Sequence, residues 1–194
     1  MRTMDARPET ESTFKAMTGK IRTRAHTRRA VVEVVLCLVL AVGGGLLAFG
    51  GNFANNMVHD QLADQKIFFP PAGSEAMPAD EYPGLQRYGG QQVDSGPEAK
   101  AYANQYIQAH LKDVADGKTY SEVSTLSRAN PDDEKLAGQV QTLFRGETLR
   151  GLLLSAWGWS VVGSIALYTA IAAFVGALVV LMALVYGLVR PEHA

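Results

Sequence analysis

Residues 30–51 read AVVEVVLCLVLAVGGGLLAFGG, and residues 157–189 read WGWSVVGSIALYTAIAAFVGALVVLMALVYGLV. These two runs decide the fold. The hydrocarbon core of a bilayer is about 30 Å thick and takes about 20 apolar helical residues, each rising about 1.5 Å. No other stretch of the chain is apolar and long enough to cross. The first run has 22 residues and a single charge, Glu33. Arg29 lies four residues earlier on the same helical face, so the two are expected to pair near the headgroups. The second apolar region begins already at Leu152 and is too long for one crossing, so its ends must set its register. Trp prefers the headgroup level. That puts Trp157 and Trp159 at the outer interface, and Tyr186 with Arg190 at the inner one.

Charge sets the direction. Lys and Arg close to a span stay on the cytoplasmic side. Residues 1–29 hold eight basic side chains against three acids, with Arg22, Arg24, Arg28 and Arg29 crowding the first span. Arg190 follows the second. Residues 52–150 hold fourteen acids and nine bases. The expected order is a basic cytoplasmic tail (1–29), a transmembrane helix (30–51), an extracytoplasmic helical domain (52–156), a second transmembrane helix (157–189) and a short cytoplasmic tail (190–194). The protein is then a multi-pass resident of the plasma membrane. The long basic lead and long apolar run favour an uncleaved anchor over a signal peptide. Cys37 is the single cysteine, so no internal disulfide braces the domain.

Within the domain, NFANNMVHDQLADQKIFF continues the first span as a helix to about residue 66. Pro70 and Pro71 are expected to end it. Residues 70–97 hold five prolines and five glycines and read as a loop, anchored by Tyr82, Leu85 and Tyr88. Ser95 with Glu98, and Thr119 with Glu122, have capping-box spacing and open helices over 97–117 and 119–129. Asn130 followed by Pro131 reads as a third start, from which one helix is expected to run over 131–189. The two long helices form an antiparallel hairpin in this reading. Leu136, Val140, Leu143 and Phe144 are expected to face Phe53, Met57, Val58 and Leu62.

Chemistry is sparse. The sequence has no GxSxG, no CxxC, no phosphate-binding glycine loop and no zincin pattern. No cofactor is implied. His59, Asp60, Asp64 and His110 share the domain, and a metal-dependent enzyme would have to draw on them, but their spacing has no ligand pattern. Tyr82, Tyr88, Tyr102 and Tyr106 are candidates for the lining of a small-ligand sensor. The basic tail lacks interleaved aromatics and reads as a topology signal rather than a nucleic-acid site. The spans carry more. Ala41 with Gly45, Ala166 with Ala170, Ala172 with Gly176, and Ala173 with Ala177 have small-xxx-small spacing, which lets helix backbones approach in lipid.

The stretches FANNMVHDQLADQKIFFPPAGS, YGGQQVDSGPEAKAYANQYI, GKTYSEVS and QTLFRGETLRGLLLSAWGW resemble those of small two-span actinobacterial membrane proteins. The resemblance covers residues 52 to 160. Some relatives carry the label of aromatic ring-opening dioxygenase. Ring cleavage requires an iron-ligand set that this sequence does not display, so the resemblance implies the architecture and contributes no catalytic residue. The expectation is an all-α membrane protein without enzymatic activity, an accessory or assembly subunit in contact with lipid and with an integral membrane partner or its own copies.

Overall fold

The computed structural model describes the backbone of residues 7–189 and the side chains of residues 27–189. The described regular structure is helical. Its elements are α1 (Arg7–Asp64), a 3₁₀ turn (Gln86–Tyr88), α2 (Gly96–Ala101), a π-helical stretch (Tyr102–Ile107), α3 (Gln108–Val114), α4 (Tyr120–Ala129) and α5 (Glu134–Val189). Thr27–Asp64 and Glu134–Val189 are each long and apolar enough to cross a membrane. Only 6% of the most apolar stretch of each is buried within the chain, whereas the core helix of a soluble protein is mostly buried.

The chain divides into two compact units. One comprises the described residues up to Ala48 with those from Tyr168 onward, and the other is Phe49–Leu167. In the first unit the Cys37 thiol donates to the Ala177 carbonyl at 3.6 Å. Gly44 faces Ala173 and Phe174 so closely that a Cβ there would lie 3.2–3.3 Å from them. Gly176 faces Leu40. Ala170 and Ala177 are buried, while Val39, Val42, Leu46, Ile171 and Leu178 point outward.

In the second unit the N-terminal part of α5, up to Leu167, is the spine. Gly51 and Gly163 meet backbone to backbone. A Cβ on Gly51 would stand 2.8 Å from the Gly163 carbonyl oxygen, and one on Gly163 would stand 2.6 Å from Asn55 Oδ1. The helix through α2, the π stretch and α3 also lies along α5, in the opposite direction. Gly96 abuts Trp157 and Ser160, leaving no room for a side chain. Further along, the Arg150 guanidinium donates to Asn104 Oδ1 at 3.2 Å, Leu111 fills the space beside Gly146, and the Gln139 amide donates to the Val114 carbonyl at 2.7 Å.

The π stretch keeps that contact in line. Ala99, Ala103, Ile107, Leu111 and Ala115 are all buried at four-residue intervals. In an ideal α-helix each such step drifts about 40° around the axis. The wider π turn, closed by the Gln108 amide on the Ala103 carbonyl, takes up part of the drift.

α1 ends at Asp64, close to the expected residue 66; Lys66 takes a left-handed conformation (φ 51°), and the Ala63 carbonyl accepts from the Lys66 amide at 3.1 Å and from the Gln92 side chain at 2.6 Å. Two expectations need correction. Asn130 does not open α5; its amide hydrogens close α4 on Leu126. The cap of α5 is Asp133, whose Oδ1 accepts from the Leu136 amide at 3.0 Å. The expected facing rows also meet differently. Val58, Leu62 and Leu143 share one core, but the start of α5 runs beside α3 and α4. There the Phe144 ring meets Tyr120 at 5.9 Å. Phe53 and Phe144 are exposed.

Residues 65–95 form an ordered loop tied across its ends. The Val93 amide bonds the Ile67 carbonyl and the Phe69 amide bonds the Gln91 carbonyl, at 2.8 and 2.9 Å. Inside, the Gln86 side chain accepts from the Gly73 amide and donates to the Met77 and Tyr82 carbonyls. Phe69, Met77, Tyr82, Leu85 and Val93 are buried beneath it, and Tyr88 is half-buried. Both capping boxes form: Glu98 accepts from the Ser95 amide at 3.0 Å and Glu122 from the Thr119 amide at 2.7 Å.

The Gly51–Gly163 contact generates a test. Gly163→Val should cost about 1–3 kcal/mol, the range for overpacking a filled site, read as a lower thermal midpoint in mild detergent. Gly45→Ala, where a Cβ meets nothing within 4 Å, should leave the midpoint unchanged.

Candidate functional site

The site best defined by geometry is an apolar groove in the Phe49–Leu167 unit, about 450 Å³ in volume. It follows from the glycine contact. Where Gly51 and Gly163 bring α1 and α5 together, the neighbouring Gly50, Ala54 and Ala166 have too little side chain to fill the surface beside them. Phe53 and Met57 from α1, and Trp159 and Val162 from α5, stand around this small-residue floor. Phe53 and Trp159 are 62% and 54% exposed, so their rings form open walls. No ionisable group lines the groove. It offers shape and apolar surface, and no chemistry.

The residues with small-xxx-small spacing separate. Ala166 lines the groove, Ala170 is buried, and Gly176 lies against Leu40. Ala41 is half-buried, whereas Gly45 and Ala172 are exposed. The contacts are instead Cys37 with Ala177, Gly44 with Ala173 and Phe174, and Gly176 with Leu40 in one unit, and Gly51 with Gly163 and Leu167 in the other; Cys37, Gly44 and Gly51 stand seven residues apart. Seven is the repeat that keeps two helices on one seam. The signal in the sequence is that interval of seven between the small residues Cys37, Gly44 and Gly51.

The interface anchors also divide. Arg28 is exposed, and Arg29 Nε donates to Glu33 Oε1 at 2.7 Å. Trp157 is half-buried, with Lys100 Nζ 4.1 Å from its ring centre. In the first unit Tyr186 borders a shallow apolar hollow with Leu181, Met182 and Val185. Arg190 lies outside the described residues, as do the side chains of the basic tail before Thr27.

The polar candidates are not assembled into one site. His59 Nδ1 lies 3.0 Å from the Asp94 carbonyl oxygen, and His110 Nδ1 3.0 Å from that of Tyr106. Asp60 is exposed. Among the described residues, no group of three or more His, Cys, Asp or Glu side chains is arranged to hold a metal ion.

The tyrosines do come together. Tyr102, Tyr106 and His110 stand one turn apart, with ring centres at 5.0 and 4.5 Å. Phe69 bridges Tyr88 and Tyr102 at 5.1 Å each, and Tyr82 lies tilted against Tyr106 at 5.7 Å. The rings fill one another's faces. Burial, followed by the Glu81 carboxylate beside it, pushes the Tyr82 hydroxyl up to about 12. Burial also raises Tyr102 and Tyr106.

These shifts give a pH dependence. A raised tyrosine is protonated in the fold where the unfolded chain has already lost its proton, so stability is complete below pH 10 and falls as pH rises toward 12. Thermal midpoints across that window should drop, and Tyr82→Phe should make the drop shallower.

No family model matches this chain, and neither a curated protein nor a solved structure shows significant similarity to it.

Proposed function

We propose that this chain is a two-pass plasma-membrane protein without enzymatic activity of its own. It serves as an accessory or assembly subunit that docks onto a larger integral membrane partner. The observation that carries this reading is the small-floored apolar groove between α1 and α5, open on a face whose neighbours are also apolar. Close approach over glycine and alanine, with large apolar side chains as walls, is how helices recognise one another in lipid. A transport pathway would need ionisable groups inside the spans, and the groove has none.

In this reading α1 and α5 form an antiparallel hairpin with both termini cytoplasmic, and residues 52–156 are the extracytoplasmic domain. Two observations support it. In each unit, contacts step down α5 as they step up α1, from Cys37 with Ala177 to Gly44 with Ala173, and again from Gly51 with Leu167 to Asn55 with Gly163. The basic residues gather before the first span.

Two experiments test the reading. With Cys37 replaced by Ser, a cysteine at Lys118 should react with an impermeant maleimide in intact cells, and one at Lys20 only after lysis. The reverse pattern overturns the topology. For the partner, affinity purification in mild detergent should recover a second integral membrane protein in fixed ratio. Gly50→Leu should abolish the recovery at an unchanged thermal midpoint, because a Cβ at Gly50 meets nothing within 4 Å of its own chain yet fills the groove. Recovery of this chain alone at every detergent strength removes the accessory role.

A further inference from the structure

The Lys100 ammonium is held in an unusual place. It sits 4.1 Å from the centre of the Trp157 ring, and Trp157 is the residue that opens the second span. The contact is set by backbone packing. Gly96, one helical turn before Lys100, abuts Ser160 and lies 3.4 Å from the Trp157 Cα when given a Cβ, so α2 is seated on α5 with no side chain between them. Nearby carboxylates are engaged elsewhere. Glu98 accepts from the Asp94 and Ser95 amides and the Ser95 hydroxyl, and Asp94 lies 4.0 Å from His59. Among the described residues Lys100 forms no salt bridge.

A cation fixed over an aromatic face has spent that side of its charge on the ring quadrupole. Lys100 is exposed, and among the described residues its remaining N–H donors have no acceptor. Trp at a span boundary lies at headgroup depth, where phosphate oxygens are the abundant acceptors and form strong charge-assisted hydrogen bonds with an ammonium. We propose that Lys100 and Trp157 form a binding site for the phosphate of an anionic phospholipid in the outer leaflet, fixing the depth at which the helical domain rests on the membrane. This rests on the topology proposed above, in which Trp157 lies at the outer interface.

The test uses the full chain, delipidated in mild detergent and titrated with phosphatidylglycerol or phosphatidylcholine of identical acyl chains, with bound lipid counted by native mass spectrometry. The wild type should favour phosphatidylglycerol by about five-fold, the contribution of one lysine at an anionic surface. Lys100→Gln should bring the two lipids to parity. Lys100→Arg, which keeps the charge over the ring, and Lys118→Gln, which removes an exposed lysine elsewhere in the domain, should both retain the preference. Equal binding by the wild type, or a preference that survives in Lys100→Gln, overturns the proposal. A separate measurement isolates the topology: in a Trp159→Phe background, Trp157 fluorescence should be quenched more by lipids brominated near the headgroup than by those brominated deep in the chain. Shallow quenching without lipid preference sinks the phosphate site alone. Deep or absent quenching sinks the topology and the site with it.

Discussion

The arrangement of the Phe49–Leu167 unit depends on the contact between Gly51 and Gly163. Two helices ordinarily pack with axes 8–10 Å apart, the distance being set by the side chains between them. Here one backbone rests against the other, and a single added methyl group on either glycine would meet a carbonyl or an asparagine side chain within 3 Å. Close approach of this kind has two consequences. It brings many backbone atoms into van der Waals contact, the main attraction available to helices where burial from water is not the driving force. It also leaves the flanking Gly50, Ala54 and Ala166 too short to level the surface. The groove is a by-product of the same feature that holds the helices together.

The small domain has to be stable without a disulfide, and its polar groups carry much of that task. Gln86 satisfies the Gly73 amide and the Met77 carbonyl, and Gln92 adds a second donor to the Ala63 carbonyl. Glu98 and Glu122 serve the first turns of their helices. Hydrogen bonds of this kind contribute only about 0.5–1.5 kcal/mol each, but their geometry is specific. They fix the loop so that Phe69, Met77, Leu85 and Val93 enter one core with the aromatic row of the π stretch. Specificity comes from the amides and burial from the apolar side chains.

What was legible in the sequence followed from local physics. The two apolar runs declare themselves by composition, and Ser95 with Glu98 and Thr119 with Glu122 by a spacing that only a helix start uses. The capping box needs nothing beyond four consecutive residues. The start of α5 was harder to place because the chain offers two caps three residues apart. Asn130 and Asp133 are equally good caps on paper, and the choice falls to Asp133 because Asn130 is engaged in closing α4. The facing of Phe53 and Phe144 has a different origin. Periodicity gives the apolar stripe of each helix but not the axial offset between stripes, which Gly51 and Gly163 determine. For the contact beside the groove, the interval of seven between Cys37, Gly44 and Gly51 was the available signal, obscured by the more familiar four-residue pairs beside it.

The same rows explain why a pair of such helices is expected to have company. A helix that is apolar around its whole circumference has more surface than one neighbour can cover. In the first unit the contact takes up Cys37, Gly44, Ala170 and Ala177, and Val39, Val42, Ile171 and Leu178 remain outside. In lipid those exposed aliphatics carry no penalty, so they require no partner. The groove is different. Lipid tails meet a convex row of valines and leucines well, whereas a recess floored by glycine and alanine between Phe53 and Trp159 is either filled by something shaped to it or loses dispersion contacts along its length. Small residues used at Gly51 and Gly163 hold the chain's own helices together. Small residues left open at Gly50 and Ala166, a few ångströms away in the same surface, leave a second place where a backbone can approach.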